Sequence, residues 1–171
     1  MANSVTKYLS NFVTVLNIFF GSLAIINIFN GDYKAATILI FLAVLMDSMD
    51  GRVARKLHTT SDIGKELDSL CDLVSFGVAP AMLIYAQVFS EYPGVIGLLT
   101  AILFIICGAL RLARFNVLNT TDYFIGVPIT AAGALMVITS ILSVYLPYSV
   151  IILIMLLLSY LMVSNIKVKK L

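Results

Sequence analysis

The sequence predicts an all-α integral membrane bundle of six transmembrane helices with a short amphipathic surface helix at its N-terminus. Three observations predict it. Of 171 residues, 61% are hydrophobic and 12% are charged, whereas soluble domains run near 45–50% and 25%. The apolar residues form long runs, divided by short turn signals such as Asn30-Gly31-Asp32 and Pro93-Gly94. The acidic residues cluster: six of the nine lie between Asp47 and Asp72. No polar linker or internal repeat divides the chain, so residues 1–171 read as one membrane domain. A net charge of +2 is too small to suggest a nucleic-acid partner.

Val5, Tyr8, Leu9 and Phe12 follow the i, i+3, i+4, i+7 spacing of an apolar helix face. Residues 1–11 are therefore expected to lie on the membrane surface, the alternative being a lead-in to the first span. The same residues lack the basic start and apolar core of a cleaved signal. The first span covers about 12–29. The second covers about 33–55: its apolar stretch, Ala35 to Met46, is broken only by Thr37. That stretch is short of the roughly 20 residues a bilayer needs, so the helix is expected to continue through Asp47 and Asp50 towards Arg55. A polar connector holding the lone histidine, His58, leads to a third span over 62–88. His58 is expected to be exposed and without a catalytic role. Pro93-Gly94 turns the chain into a fourth span, 95–114, which ends at Arg111 and Arg114. After a polar loop come spans over 126–145 and 149–166, separated at Pro147. Cys71 and Cys107 stand in apolar surroundings and read as packing residues.

Six spans put both termini on one side, and the basic residues fix which. Lys7, Arg52, Arg55, Lys56, Lys65, Arg111, Arg114, Lys167, Lys169 and Lys170 share the side of the termini, which leaves only Lys34 of the 11 opposite. Both termini and the acidic cluster are expected to face the cytoplasm.

That cluster carries the chemistry. Asp47 and Asp50 are spaced i, i+3, and Asp68 and Asp72 i, i+4, so each pair lies on one helix face. Four carboxylates converging from two helices repel unless a cation joins them, and carboxylate oxygens are the ligands hard cations such as Mg2+ take. Gly51, Ala54 and Gly64 stand one turn from these aspartates, where small side chains let a bulky ligand approach. The plain alternative is a solvated helix end whose charges pair among themselves.

The pattern Asp47-x-x-Asp50-Gly51-x-x-Ala54-Arg55, eight further residues, then Gly64-x-x-x-Asp68-x-x-x-Asp72 resembles that of the CDP-alcohol phosphotransferases at every fixed position. The resemblance implies a membrane enzyme that moves a phosphatidyl-type group from a CDP-linked lipid to an alcohol and releases CMP. It implies Asp47, Asp50, Asp68 and Asp72 as ligands of one or two Mg2+ or Mn2+ ions, with Asp72 also the general base. Gly51, Ala54, Arg55 and Gly64 would line the CDP-lipid site, and a homodimer is implied by the family alone.

The stretches Asn11 to Gly21, Leu73 to Pro80, Arg111 to Asn116 and Gly126 to Pro128 resemble the phosphatidylserine synthase branch, which implies L-serine as acceptor. Arginine forks suit carboxylate or phosphate, so Arg111 and Arg114, with Asn116 beside them, are candidates for binding serine or phosphate. Their other reading is as positive-inside anchors. The helix start at Gly126-Val127-Pro128 favours anions. Ser75 either bonds the substrate or is spent on backbone. Thr14 and Asn17 either face the cleft near the CDP-lipid or bond between helices. Two rival functions remain at this stage: the same reaction with glycerol 3-phosphate or inositol phosphate as acceptor, and a cation transporter using the aspartates as an ion path.

Overall fold

A computed structural model describes residues 2–57, 62–92, 94–118 and 123–169. Its first unit is a helical hairpin. Helix α1 (Ala2–Phe29) and helix α2 (Tyr33–Leu57) pack along each other. The turn between them uses Gly31 in the left-handed region, φ 76°, a conformation that costs glycine no Cβ clash. Asp32 then caps α2, its Oδ1 accepting the Ala35 N–H at 3.0 Å, which satisfies one of the free donors of a helix start. Helix α1 runs from Ala2 to Phe29 without a break, so the stretch set apart from sequence as a surface helix is continuous with the first long helix.

The next rod has three parts. Helix α3 (Asp62–Asp72) passes into a π-helical segment, Leu73–Val78, and then into helix α4 (Ala79–Gln87). Within the π segment the hydrogen bonds reach one residue further back, as in Ala79 N–H to Val74 O. Pro80 supplies a physical reason. It has no N–H to give, and in a regular helix its ring would collide with the carbonyl four residues back, that of Phe76. Widening the turn by one residue relieves that collision. A 3-10 turn, Phe89–Glu91, ends the rod.

Helix α5 (Ile96–Leu118) follows, then a short strand β1 (Tyr123–Ile125), helix α6 (Ile129–Leu142), helix α7 (Tyr148–Val163) and strand β2 (Lys167–Lys169). Pro128 and Pro147 stand at the N-caps of α6 and α7. The two strands pair antiparallel, Tyr123 opposite Lys169, Phe124 opposite Val168 and Ile125 opposite Lys167. The fold is thus all-helical apart from this small ribbon. The last helix ends three residues before the expected limit at 166, because the chain there turns away to form the ribbon.

The core sits where α4, α5, α6, α7 and the π segment meet, around Phe76, Phe104, Ile129, Met136 and Met155. A second cluster joins α1, α2 and α4 through Ala24, Ile40 and Leu83. Glycine brings α6 directly onto the rod: a Cβ on Gly133 would lie 2.6 Å from Phe76 O and 2.9 Å from its Cα. The outside is unusually greasy. Phe12, Phe19, Ile38, Leu45, Leu99, Leu153 and Tyr160 are exposed, among many others, far more than a monomer in water presents. Among the described residues, two helical stretches, Ile63–Glu91 and Ile96–Val117, are long and apolar enough to cross a membrane. The apolar helices Thr14–Phe29, Ile129–Leu142 and Tyr148–Val163 are shorter.

Candidate active site

Helices α2 and α3 deliver the acidic cluster. Asp47 comes from α2, and Asp68 and Asp72, one turn apart, from α3. One carboxylate oxygen from each of the three lies within 4.8 Å of the others. Asp47 and Asp68 are half-buried, and Asp72 is 8% exposed. Three hard oxygen donors drawn together in this way fit a divalent cation, whose charge would offset their mutual repulsion. Asp50, Gly51, Ala54 and Arg55 belong to the α2 helix, but their side chains lie outside the described residues, as does His58. Gly64 stands one turn before Asp68, as expected.

Helix α1 closes over Asp72. Thr14, Asn17, Gly21, Ala24 and Ile28 form one buried stripe, polar at the site end and apolar beyond. Asn17, 1% exposed, donates from Nδ2 to Asp72 Oδ1 at 3.3 Å. Its backbone oxygen accepts the Ser75 hydroxyl at 3.1 Å. Ser75, on the π segment, is therefore bonded to backbone, one of its two expected roles. Gly21 is what lets α1 come so near: a Cβ there would sit 2.2 Å from Ser75 Oγ and 2.9 Å from its Cα.

Arg111 approaches from α5. It is 8% exposed, close enough to Asp72 for the two opposite charges to act on each other, and lies over the Phe115 ring at 5.4 Å, within cation–π range. Its Nε has no hydrogen-bond partner. A buried guanidinium beside a carboxylate cluster thus gives the site both signs of charge.

A family profile, CDP-alcohol phosphatidyltransferase, matches residues 7–166. The chain belongs to this family. Its curated relatives include a CDP-diacylglycerol–serine O-phosphatidyltransferase of Methanocaldococcus jannaschii, 46% identical over 164 residues, or 95% of this chain and 74% of the relative. A protein of the same name from Bacillus subtilis is 43% identical over 94% of this chain and 89% of its own length. Another from Helicobacter pylori is 43% identical over 78% of this chain and 57% of its own length.

Two further residues nominated from sequence make bonds between helices. Arg114 reaches the end of α7, donating from Nη1 to Val163 O at 3.3 Å and from Nη2 to Asn165 Oδ1 at 2.5 Å. A cation there satisfies carbonyls left free by the helix. Asn116 fastens α5 to α3: its Nδ2 donates to both Glu66 oxygens at 3.2 Å and to Ser69 Oγ at 3.1 Å. Lys65 Nζ donates to Asn116 O at 3.2 Å. The N–H groups of Gly126 and Val127, read from sequence as facing anions, are given to Ile166 O and Leu161 O. Sequence reasoning missed Phe115, Glu66 and Ser69. Phe115 stands one turn after Arg111, and Glu66 and Ser69 flank Asp68, so helical spacing was the available signal.

Proposed function

We propose that the protein transfers the phosphatidyl, or an archaeal ether-lipid, group of a CDP-linked lipid to the hydroxyl of L-serine, releasing CMP in phospholipid synthesis. The observation that carries the reading is the convergence of Asp47, Asp68 and Asp72 beside the buried Arg111. The serine acceptor is supported by relatives 43–46% identical that are named for that reaction.

Asp47, Asp50, Asp68 and Asp72 would hold one or two Mg2+ or Mn2+ ions, which when bound neutralise pyrophosphate charge and polarise the phosphorus. Gly51, Ala54 and Gly64 leave room for the nucleotide, with Arg55 and Thr14 beside it. Asp72 accepts the proton of the serine hydroxyl, the oxygen attacks the lipid-bearing phosphorus directly, and CMP departs. Arg111 meets the serine carboxylate or a donor phosphate. Arg114 and Asn116 act at one remove, through the bonds that hold α7 and α3 to α5.

The helices form six membrane spans, with the active site and both termini in the cytoplasm. Supporting this, Lys65, Arg111 and Arg114 gather at the end of the bundle where α5 and α7 finish, while Lys34 follows the α1–α2 turn. A homodimer is the family's usual assembly. The test is CMP release by purified protein from a CDP-lipid in mixed micelles. Release should require both L-serine and a divalent cation. Release supported by glycerol 3-phosphate or inositol phosphate, and not by serine, overturns the reading.

A further inference from the structure

Among the described residues, two buried side-chain polar atoms lack a hydrogen-bond partner, Asn17 Oδ1 and Arg111 Nε. Asn17 bonds Asp72 directly, and Arg111 is the opposite charge close enough to act on it. One orphan is an acceptor and the other a donor. A buried polar atom without a partner is costly, and a functional site is one of the places such atoms persist. With Asp72 ionised, as a base must be, the amide orientation follows from chemistry: Nδ2 faces the carboxylate, since Oδ1 there would set acceptor against acceptor. The Asn17 oxygen therefore lies beside the Asp72 carboxylate, one amide's width away, and points elsewhere.

Serine in its zwitterionic form presents three groups: a hydroxyl, an ammonium on the neighbouring carbon and a carboxylate. Asp72, Asn17 Oδ1 and Arg111 Nε present their three complements. Oδ1 is shielded from solvent, so a donor reaches it only when carried by a molecule that seats against Asp72 and displaces the side chains covering it. The ammonium of a vicinal amino alcohol is such a donor. Glycerol 3-phosphate and inositol phosphate carry none.

We infer that Asn17 binds the ammonium of the acceptor through Oδ1 while Nδ2 positions the Asp72 carboxylate, so that one side chain couples recognition of an amino alcohol to aim of the base. The inference rests on serine as acceptor and Asp72 as base. Helix α1 is fixed in the position this requires, because Ser75 ties the Asn17 backbone and Gly21 sets the distance.

The experiment compares three ligands: the KM of L-serine, and the inhibition constants of L-alanine, which lacks the hydroxyl, and of 3-hydroxypropionate, which lacks the ammonium. In Asn17→Ala the serine KM and the alanine constant should rise together by about 10- to 100-fold, the worth of a charge-assisted hydrogen bond. The 3-hydroxypropionate constant should stay put, and kcat should fall. Asn17→Asp has the same shape and keeps an oxygen acceptor but loses the donor to Asp72. It should hold alanine at least as tightly as the unmodified enzyme while kcat falls. A purely structural Asn17, or one whose oxygen only holds a water, would shift all three constants alike or none, and either result overturns the inference. So does an alanine that fails to compete in the unmodified enzyme. If Asn17→Ala does not fold, weakened alanine binding in Asn17→Asp is sufficient refutation. Failure of the underlying reading appears separately, as CMP release by the unmodified enzyme without L-serine.

Discussion

Adding one methyl group at Gly21 should disable the enzyme without touching a charged residue. The Cβ of Gly21→Ala would lie 2.2 Å from Ser75 Oγ and 2.9 Å from both its Cα and its Cβ. Carbon pairs rest at about 3.5–4.0 Å, so α1 and the π segment must separate by about 0.6–1 Å. Rotating the hydroxyl away does not help, because the new methyl still collides with the Ser75 backbone. The Asn17 to Asp72 bond is already long at 3.3 Å, beyond the usual 2.7–3.2 Å, and a shift of that size breaks it. Overpacking of this kind costs about 1–3 kcal/mol of stability, and an ångström of misplacement at a reacting group can cost about 100-fold in rate. The assay is CMP release alongside thermal inactivation in the same detergent. The kcat should fall about 100-fold and the inactivation midpoint should drop. The double variant with Ser75→Gly should recover part of both, since it removes the side-chain collisions and leaves the backbone one. Wild-type kcat and midpoint in Gly21→Ala would refute the claim that α1 sets the position of Asp72.

The aspartates should not be equivalent: Asp47→Asn and Asp68→Asn should regain part of their CMP release at high Mg2+ or Mn2+, whereas Asp72→Asn should stay about 100- to 10,000-fold down at saturating metal while still binding the CDP-lipid. Full rescue of Asp72→Asn by metal would make it a ligand only. Arg111→Ala should raise the KM of serine or donor about 10- to 100-fold, with Lys a partial substitute for want of the planar fork. Arg114→Ala should leave those KM values alone and lower stability by about 1 kcal/mol, read by denaturation; a raised serine KM with unchanged stability would return Arg114 to the substrate. Cysteines placed at Lys34 should react with an impermeant reagent added outside cells, and cysteines at Lys7 or Lys170 should not; the reverse pattern overturns the orientation.

The acidic cluster was legible because carboxylates are out of place in so apolar a chain, and helical spacing alone brings Asp68 and Asp72 to one face. The helices were legible from run length and from turn residues such as Asn30-Gly31-Asp32. What stayed hidden depends on neighbours distant in sequence. Nothing local to Leu73–Val78 announces a π segment except Pro80, and a proline near a helix bend has other outcomes. Ser75 and Asn17 are ordinary polar residues until α1 lies against the rod. Arg114 stood three residues from Arg111 in a pattern that made the two look like a pair. The structure divides them, because the end of α7, about 50 residues later, offers carbonyls to one and not the other. The ribbon of Tyr123–Ile125 with Lys167–Lys169 carries no turn signal, since no hairpin joins its strands.

That ribbon bears on the order in which the protein assembles. The α1–α2 hairpin can close as soon as its own residues are made, and the carboxylates can meet once α3 has joined it. The far side of the site is finished much later. Arg114, Gly126 and Val127 find their partners on residues 161–166, and β1 finds its partner only at 167–169. Until α7 is in place, α5 and α6 lack the clasp that fixes their ends, and Arg111 rides on α5. A chain stalled before residue 160 during synthesis would therefore hold its acidic residues together and still leave its guanidinium unsteadied. The steadying of the helix that carries Arg111 thus waits on residues 161–169.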